Sequence, residues 1–262
     1  MKNISNNPFF SVITCTYNSE KFIKKNLDSV STQTFKNYEH ILIDGNSSDG
    51  TGKIIEEYIK LNPTHVRIFQ RRPMGISDAM NEGIKRARGK YIIHLHSDDY
   101  FYDNKVLRRT YQFIVKNKYP DWVYGKIRVV EAWGAEVGIF PRWKILQQAN
   151  TTLLKLFNYI PHQAVFIKKD IFTKFGGFDD KLKFSMDYDL WLRLAGKTRW
   201  VFMDRIISNY TIHKDSQSSN KNNILTNNRE LNKVIKKRLS RIEYLLHLLV
   251  KLPLGAYNHT HR

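Results

Sequence analysis

Over the first hundred residues, short apolar runs alternate with amphipathic segments. Phe9-Phe10-Ser11-Val12-Ile13-Thr14-Cys15 is apolar and β-rich, and residues 19–32 follow with Phe22, Ile23, Leu27 and Val30 at helical spacing. Residues 38–43 read as a second strand, and Ser48-Asp49-Gly50 opens a segment that carries Ile54, Ile55, Tyr58 and Ile59 on one face. The pattern predicts a third strand over 66–69, a third helix over 77–88 and a fourth strand over 91–95. Strands alternating with helices imply an α/β fold with a mainly parallel sheet covered on both faces. Ligands in such sheets bind beyond the carboxyl ends of the strands. Thr16-Tyr17-Asn18, Asp44-Gly45-Asn46-Ser47-Ser48-Asp49 and Ser97-Asp98-Asp99 each follow directly after a strand, so they are expected to converge on one edge, in one cleft.

The second half is less regular. A helix is predicted from Asp103 to about 118 and a strand over 122–130, whereas the Gly- and aromatic-rich stretch 133–143 fits neither period. Residues 145–160 read as an amphipathic helix, 163–167 as a strand, 187–195 as a short helix, and 200–202 and 206–210 as closing strands. The Ser- and Asn-rich run 214–228 reads as a linker or exposed loop. Beyond it, Leu231, Val234, Ile235, Leu239, Ile242, Leu245, Leu246 and Leu249 recur every three or four residues, with Lys233, Lys236, Lys237, Arg238 and Arg241 on the remaining surface.

Composition narrows this picture. With 262 residues, 42% of them hydrophobic, the chain is one large domain or a domain with an appendage, and disorder is excluded. Its 43 Lys and Arg against 24 Asp and Glu leave a formal charge of +19, which points to polyanions: nucleic acid, anionic lipid or phosphorylated small molecules. The stretch from 221 to 262 is the densest part, with nine basic residues against two Glu. The single cysteine, Cys15, excludes an intrachain disulfide. No signal-peptide pattern can be drawn at the N-terminus. The apolar stretch 242–254 contains Glu243, His247, Lys251 and Pro253 and falls short of the roughly 20 apolar residues that span a bilayer. A cytoplasmic protein, soluble or peripheral, is expected.

Asp98-Asp99 concentrates negative charge at a strand end in a basic protein. Two readings compete: one carboxylate binds a divalent cation that bridges phosphate oxygens while its neighbour contacts a sugar hydroxyl, or the pair caps the helix after Asp103. Asp49 stands where a helix N-cap is expected.

The motifs in combination resemble glycosyltransferase family 2. The resemblance is carried by Ser11-Val12-Ile13-Thr14-Cys15-Thr16-Tyr17-Asn18, Ile43-Asp44-Gly45-Asn46-Ser47-Ser48-Asp49-Gly50-Thr51, Gly75-Ile76-Ser77-Asp78-Ala79-Met80-Asn81-Glu82-Gly83 and Leu95-His96-Ser97-Asp98-Asp99. Pro161-His162-Gln163-Ala164, Phe175-Gly176-Gly177-Phe178-Asp179 and Met186-Asp187-Tyr188-Asp189-Leu190-Trp191 follow in the same order. The resemblance covers about 9–219 and implies a GT-A fold and inverting transfer of one sugar from a nucleotide-sugar to an acceptor hydroxyl. It implies a nucleotide-sugar half over about 1–100 and an acceptor half over about 101–219; the basic amphipathic helical tail read over 220–262 lies beyond it. Thr16, Tyr17, Asp44, Asp78 and Asp98 would bind the nucleotide-sugar, Asp99 with His213 a divalent metal ion (Mn or Mg), and Asp187 would be the general base. His162 and Gln163 would line the cleft. Gly45 and Met186 stand where relatives often carry an acid, and the absence of a Gln-x-x-Arg-Trp motif points away from a processive synthase.

The implied donor is a UDP-sugar and the implied acceptor a lipid-linked saccharide of surface-polysaccharide assembly. The tail has two readings, a helix packed on the domain or an in-plane helix holding the protein to the anionic inner face of the membrane. The cleft acids place the surplus of positive charge outside the cleft. Two other classes remain open: a nucleic-acid binder, which would need a basic stripe with exposed aromatics, and a sugar nucleotidyltransferase, which would need a Gly-rich phosphate loop after the first strand, where Thr16-Tyr17-Asn18 stands.

Overall fold

A computed structural model describes residues 7–214 and 223–249. The expected boundary near 219 and the tail from 250 onward lie outside the described residues. Among the described residues nine strands form one sheet in the order β3 (Val66–Gln70), β2 (Tyr38–Asp44), β1 (Phe10–Thr16), β4 (Tyr91–His94), β8 (Val165–Lys168), β6 (Trp122–Glu131), β9 (Trp200–Ile212) and β5 (Tyr100–Phe101), with β7 (Glu136–Phe140) paired to β6. The N-terminal half holds β1 (Phe10–Thr16), β2 (Tyr38–Asp44), β3 (Val66–Gln70) and β4 (Tyr91–His94), all parallel. Every residue of β1 and β2 is buried, as strands covered on both faces require.

Beyond β4 the pairings are mixed. β8 (Val165–Lys168) runs antiparallel to both β4 and β6 (Trp122–Glu131), while β9 (Trp200–Ile212) lies parallel to β6. Two reversals cancel, so β6 and β9 run in the same sense as β1 and β4, and β8 starts at the edge where they end. The sheet closes on β5 (Tyr100–Phe101), antiparallel to β9.

Helices α1 (Ile23–Ser31), α2 (Thr51–Leu61) and α3 (Ile76–Arg86) fall close to the predicted segments, as does α4 (Val106–Lys116). Met80 and Ile84 of α3 pack with Ile13, Ile41 and Ile43 on one sheet face, while Val106, Leu107 and Ile114 of α4 cover Phe10, Val12 and Ile93 on the other. Parallel indoles deepen the first layer: Trp200 stacks 4.6 Å from Trp122, which stacks 5.4 Å from Trp191.

The long helix predicted over 145–160 is not formed. A 3₁₀ turn at Lys144–Leu146 precedes α5, which spans only Thr151–Leu156. Asn150 caps α5 by accepting from Leu153 N–H at 3.0 Å. The Tyr124 hydroxyl lies 2.9 Å from the Leu146 and Gln148 carbonyls, and the Tyr159 hydroxyl 3.0 Å from that of Gln148. Side chains thus take up backbone groups that a longer helix would have used. The unassigned 133–143 stretch contains β7 (Glu136–Phe140), a hairpin partner of β6 turned at Gly134 with φ +99°. The two closing strands are one strand, β9, and α6 (Lys169–Phe175) lies where no helix was predicted.

α7 (Met186–Leu194) and α8 (Ile224–Arg238) pack together, and α8 begins inside the segment read as a linker. Val234, Ile235 and Leu239 are buried with Tyr188, Leu190, Trp191 and Leu194, so α8 is a helix packed on the domain. Asp189, 1% exposed, takes Arg193 Nε at 2.9 Å on one oxygen and Arg238 Nε at 2.7 Å on the other. Residues 241–249 are again helical, tied to α5 by the Lys155–Glu243 ion pair at 2.6 Å.

Gly83 is where α3 approaches β1, and an added methyl there would collide with Ile13 Cγ2. Gly83→Ala is expected to lower stability by about 1–2 kcal/mol in urea unfolding, overpacking outweighing the helix-propensity gain of about 1 kcal/mol. A more stable variant would show that α3 can retreat freely.

Candidate active site

A cleft of about 880 Å³ opens at the edge where β1, β4 and β9 end and β8 begins. Topology accounts for its contents. β1 delivers Thr16 and Tyr17, β4 delivers His96 to Asp99, β9 delivers Tyr210 and His213, and the turn before β8 delivers His162 and Gln163. Met186 and Asp187 enter at the N-terminus of α7, with Lys183 and Phe184 just ahead of it.

Asp98 and His213, 115 residues apart, meet at 3.0 Å between Oδ2 and Nε2, and the imidazole stacks on Phe22 at 4.2 Å. Burial opposes ionisation of Asp98, but the His213 hydrogen bond and the nearby His96 outweigh it and hold the carboxyl below its ordinary range. Asp99, the expected cation ligand, also lines the cleft. It is 1% exposed, and its Oδ1 accepts from Thr211 N–H at 3.0 Å. Burial and the neighbouring Asp98 charge push it well above the usual carboxyl range. The pair therefore divides into a carboxylate beside His213 and a more deeply buried acid on the cleft wall whose Oδ1 anchors β9.

Among the described residues, no group of three or more His, Cys, Asp or Glu side chains stands ready to hold a metal ion. Asp98 with His213 is nonetheless a fit for a cation that takes one or two protein ligands and completes its shell with water and phosphate oxygens, as Mg²⁺ does. Four cations, Lys21, Arg71, Arg72 and Lys183, line the cleft beside six acids, Glu20, Asp49, Asp78, Asp98, Asp99 and Asp187, so the surplus of positive charge lies outside it, as expected. Arg71 pairs with Asp78 at 2.8 Å and with Glu82 at 3.2 Å. These basic residues carry no motif, and the only sequence signal for Arg71-Arg72 is a doublet just past a strand.

The remaining expected site residues are accounted for one by one. Tyr17 is 57% exposed on the cleft, and the Thr16 hydroxyl is buried without a hydrogen-bond partner. Asp44 is buried outside the lining, its carboxylate taken by Ser47 Oγ at 2.6 Å and Ser47 N–H at 3.1 Å. His162 stacks on His96 at 5.2 Å, and neither of its ring nitrogens has a partner. Burial holds it well below the usual imidazole range, so it is neutral. Gln163 lies beside it, its carbonyl accepting from Ser208 Oγ at 2.8 Å. Asp187 Oδ1 accepts from Tyr188 N–H at 2.6 Å, and burial lifts its carboxyl to about 6.

The family model for glycosyl transferase family 2 matches residues 11–172, more than half of the chain, and the chain belongs to that family. It is a glycosyltransferase. A PGL/p-HBAD biosynthesis glycosyltransferase of Mycobacterium tuberculosis is 28% identical over 208 residues, covering 78% of this chain and 77% of that protein. TarS of S. aureus in complex with UDP-GlcNAc superposes with a TM-score of 0.64 at 22% identity, covering 79% of this chain and 59% of that one. A larger TarS structure has a TM-score of 0.65 at 24% identity; the match covers 78% of this chain and 36% of the TarS chain. A mannosyltransferase from Pyrobaculum calidifontis, in complex with GDP-Man and Mn²⁺, has a TM-score of 0.61 at 17% identity and covers 81% of this chain and 59% of that one. At these identities the structures establish a shared fold.

The raised Asp187 carboxyl has a consequence for stability. A folded-state value near 6, above the ordinary 3.8, stabilises the fold only while the group is protonated, and that contribution is lost as pH rises through 6. Asp187→Asn is therefore expected to melt above the wild type at pH 8, by roughly 2 kcal/mol, with the difference closing toward pH 4. Equal melting at both pH values would mean that the carboxylate is well solvated.

Proposed function

We propose that the protein transfers a single sugar from a nucleotide-sugar, a UDP-sugar, to an acceptor hydroxyl with inversion at the anomeric carbon. The observation that carries this reading is the pairing of Asp98 with His213 on the same cleft as Asp187, a carboxyl lifted to about 6. Thr16 and Tyr17 would take the nucleobase, with Asp44 bracing the loop behind them through Ser47. Arg71 and Arg72 suit the diphosphate, and the Asp78–Arg71 pair would place the sugar end. Asp98 and His213 would hold a divalent cation, which neutralises charge on the leaving diphosphate. Asp187, ionised above about pH 6, takes the proton from the acceptor hydroxyl as the new bond forms. His162 would contribute an uncharged imidazole to the cleft wall, and Gln163 lies next to it on the cleft.

Calorimetry with UDP-, GDP- and dTDP-sugars in the presence of Mn²⁺ tests donor use; tight RNA binding with no sugar nucleotide bound would overturn the reading. Asp187→Asn is expected to cut turnover about 10³-fold while donor affinity stays within about twofold, and wild-type kcat should fall tenfold per pH unit below about 6. Loss of donor binding in that variant would take Asp187 out of the base role.

The acceptor we propose is a lipid-linked saccharide of surface-polysaccharide assembly, met at the inner face of the membrane. Among the described residues no helix is long and apolar enough to cross a bilayer. Support comes from residues 241–249, where Ile242 is 72% exposed, Leu245 60% and Leu249 65%, with Arg241 and the α8 residues Lys233, Lys236 and Lys237 also exposed. An apolar strip flanked by cations suits insertion at an anionic interface. Because α8 is packed on the domain, substitutions test this better than truncation. Replacing Ile242, Leu245 and Leu249 together by Ser is expected to weaken sedimentation with vesicles of about 30% phosphatidylglycerol by at least about tenfold. Unchanged sedimentation would leave the strip without a membrane role.

A further inference from the structure

α7 carries Asp187 on its first turn, yet its N-cap, Ser185, makes no side-chain capping bond. The free N–H groups there and in the loop ahead need acceptors, which come from another helix. Glu230 of α8 receives three consecutive backbone N–H groups. Its Oε2 lies 3.0 Å from Lys183 N, 2.8 Å from Phe184 N and 3.4 Å from Ser185 N, and its Oε1 lies 3.1 Å from Lys183 N. One turn earlier Asn227 Oδ1 accepts from Ser185 Oγ at 3.4 Å, and two turns later Arg238 reaches Asp189 at 2.7 Å.

Two of the three residues whose N–H groups Glu230 gathers, Lys183 and Phe184, line the cleft, as do Asp187 and Asn227. Glu230 itself is not part of the lining. Hydrogen bonds to a carboxylate are about twice as strong as neutral ones, and a negative group before a helix also meets the positive end of its dipole. The loop is thereby held at three successive peptide groups, and the base follows it by two residues. A displacement of about 1 Å at a reacting group costs on the order of 10²-fold in rate.

We infer that Glu230 is a positioning residue for sugar transfer: by gathering the Lys183, Phe184 and Ser185 N–H groups it sets the place of Asp187, so α8 is a working part of the active site. The inference rests on the proposed role of Asp187 as base. Helix α8 then has two duties, an apolar face that closes the core and a carboxylate that fixes the catalytic loop.

The test uses the full chain with Glu230→Ala, Glu230→Gln and, as control, Asn232→Ala on the exposed face of α8. One readout is amide hydrogen exchange over residues 183–188; the other is UDP or GDP release from UDP-glucose, UDP-GlcNAc and GDP-mannose. Glu230→Ala is expected to speed exchange at 183–185 and to lower kcat by about tenfold or more, with donor KM within about twofold. Glu230→Gln, which keeps one acceptor and the side-chain volume, should fold normally and fall between, while Asn232→Ala matches the wild type. Unchanged exchange, or faster exchange with wild-type kcat, overturns the inference. If the wild type cleaves none of the three nucleotide-sugars, the proposed function fails with these donors, and the exchange data still decide whether Glu230 holds the loop.

Discussion

The chain leaves the sheet after β4 with carbonyl groups that no neighbouring strand can pair, and one buried amide meets that need. Asn26 of α1 directs its Nδ2 to the His96 carbonyl at 2.8 Å and the Asp99 carbonyl at 2.9 Å, with Leu95 O at 3.3 Å. Thr14 Oγ1, one strand away, donates to Leu95 O at 2.8 Å and lies 3.0 Å from His40 Nε2. Burial keeps His40 neutral, its pKa drawn down to about 3, so this polar cluster carries no net charge into the core. A buried polar network fully satisfied in this way is rigid, and the loop that carries Asp98 takes its shape from it. The carboxylate then needs only His213 arriving on β9 to complete the pair.

The strand–helix alternation of the first hundred residues could be read from sequence because each element there has a local period and a local turn. The second half could not be read as fully, because its elements depend on distant partners. β5 is two residues long and exists through Asn209 and Ser208 of β9. The apolar spacing of 145–160 is helical, but Tyr124 and Tyr159 intercept its carbonyls. The same holds at the site. Asp98, Asp187 and His162 stood out by motif, and the cleft brings them together. The different partners of Asp98 and Asp99 follow from which of two adjacent side chains meets Thr211, a contact 112 residues away with no local signature. Glu230 offered no signal at all, since a glutamate on an amphipathic helix looks like any solvated charge.

Charge in this molecule is thus distributed by function. Acids are kept in the cleft by pairing or by burial, and Arg71, Arg72, Lys21 and Lys183 offset them there. On α8 the basic residues split, with Arg238 turned inward to Asp189, Lys237 lying 3.5 Å from Asp179, and Lys233 and Lys236 exposed. A single helix therefore contributes to the core, to the active-site loop and to the external field.

The two ends of the sheet path have a bearing on self-association. An open strand edge presents unpaired backbone groups on which another chain can build, a common route to aggregation. Here one end, β3, carries Arg67, whose guanidinium is committed to Glu39 at 2.9 Å, and ends next to Arg71. The other end, β5, is too short to offer a register, with only two residues. The two ends of the path are thus blunted by different means, one electrostatic and one geometric, whereas β7, off the path and paired to β6, carries Val137 and Ile139 exposed. Strand-to-strand association on a crowded surface would therefore begin at β7 rather than at either end of the path.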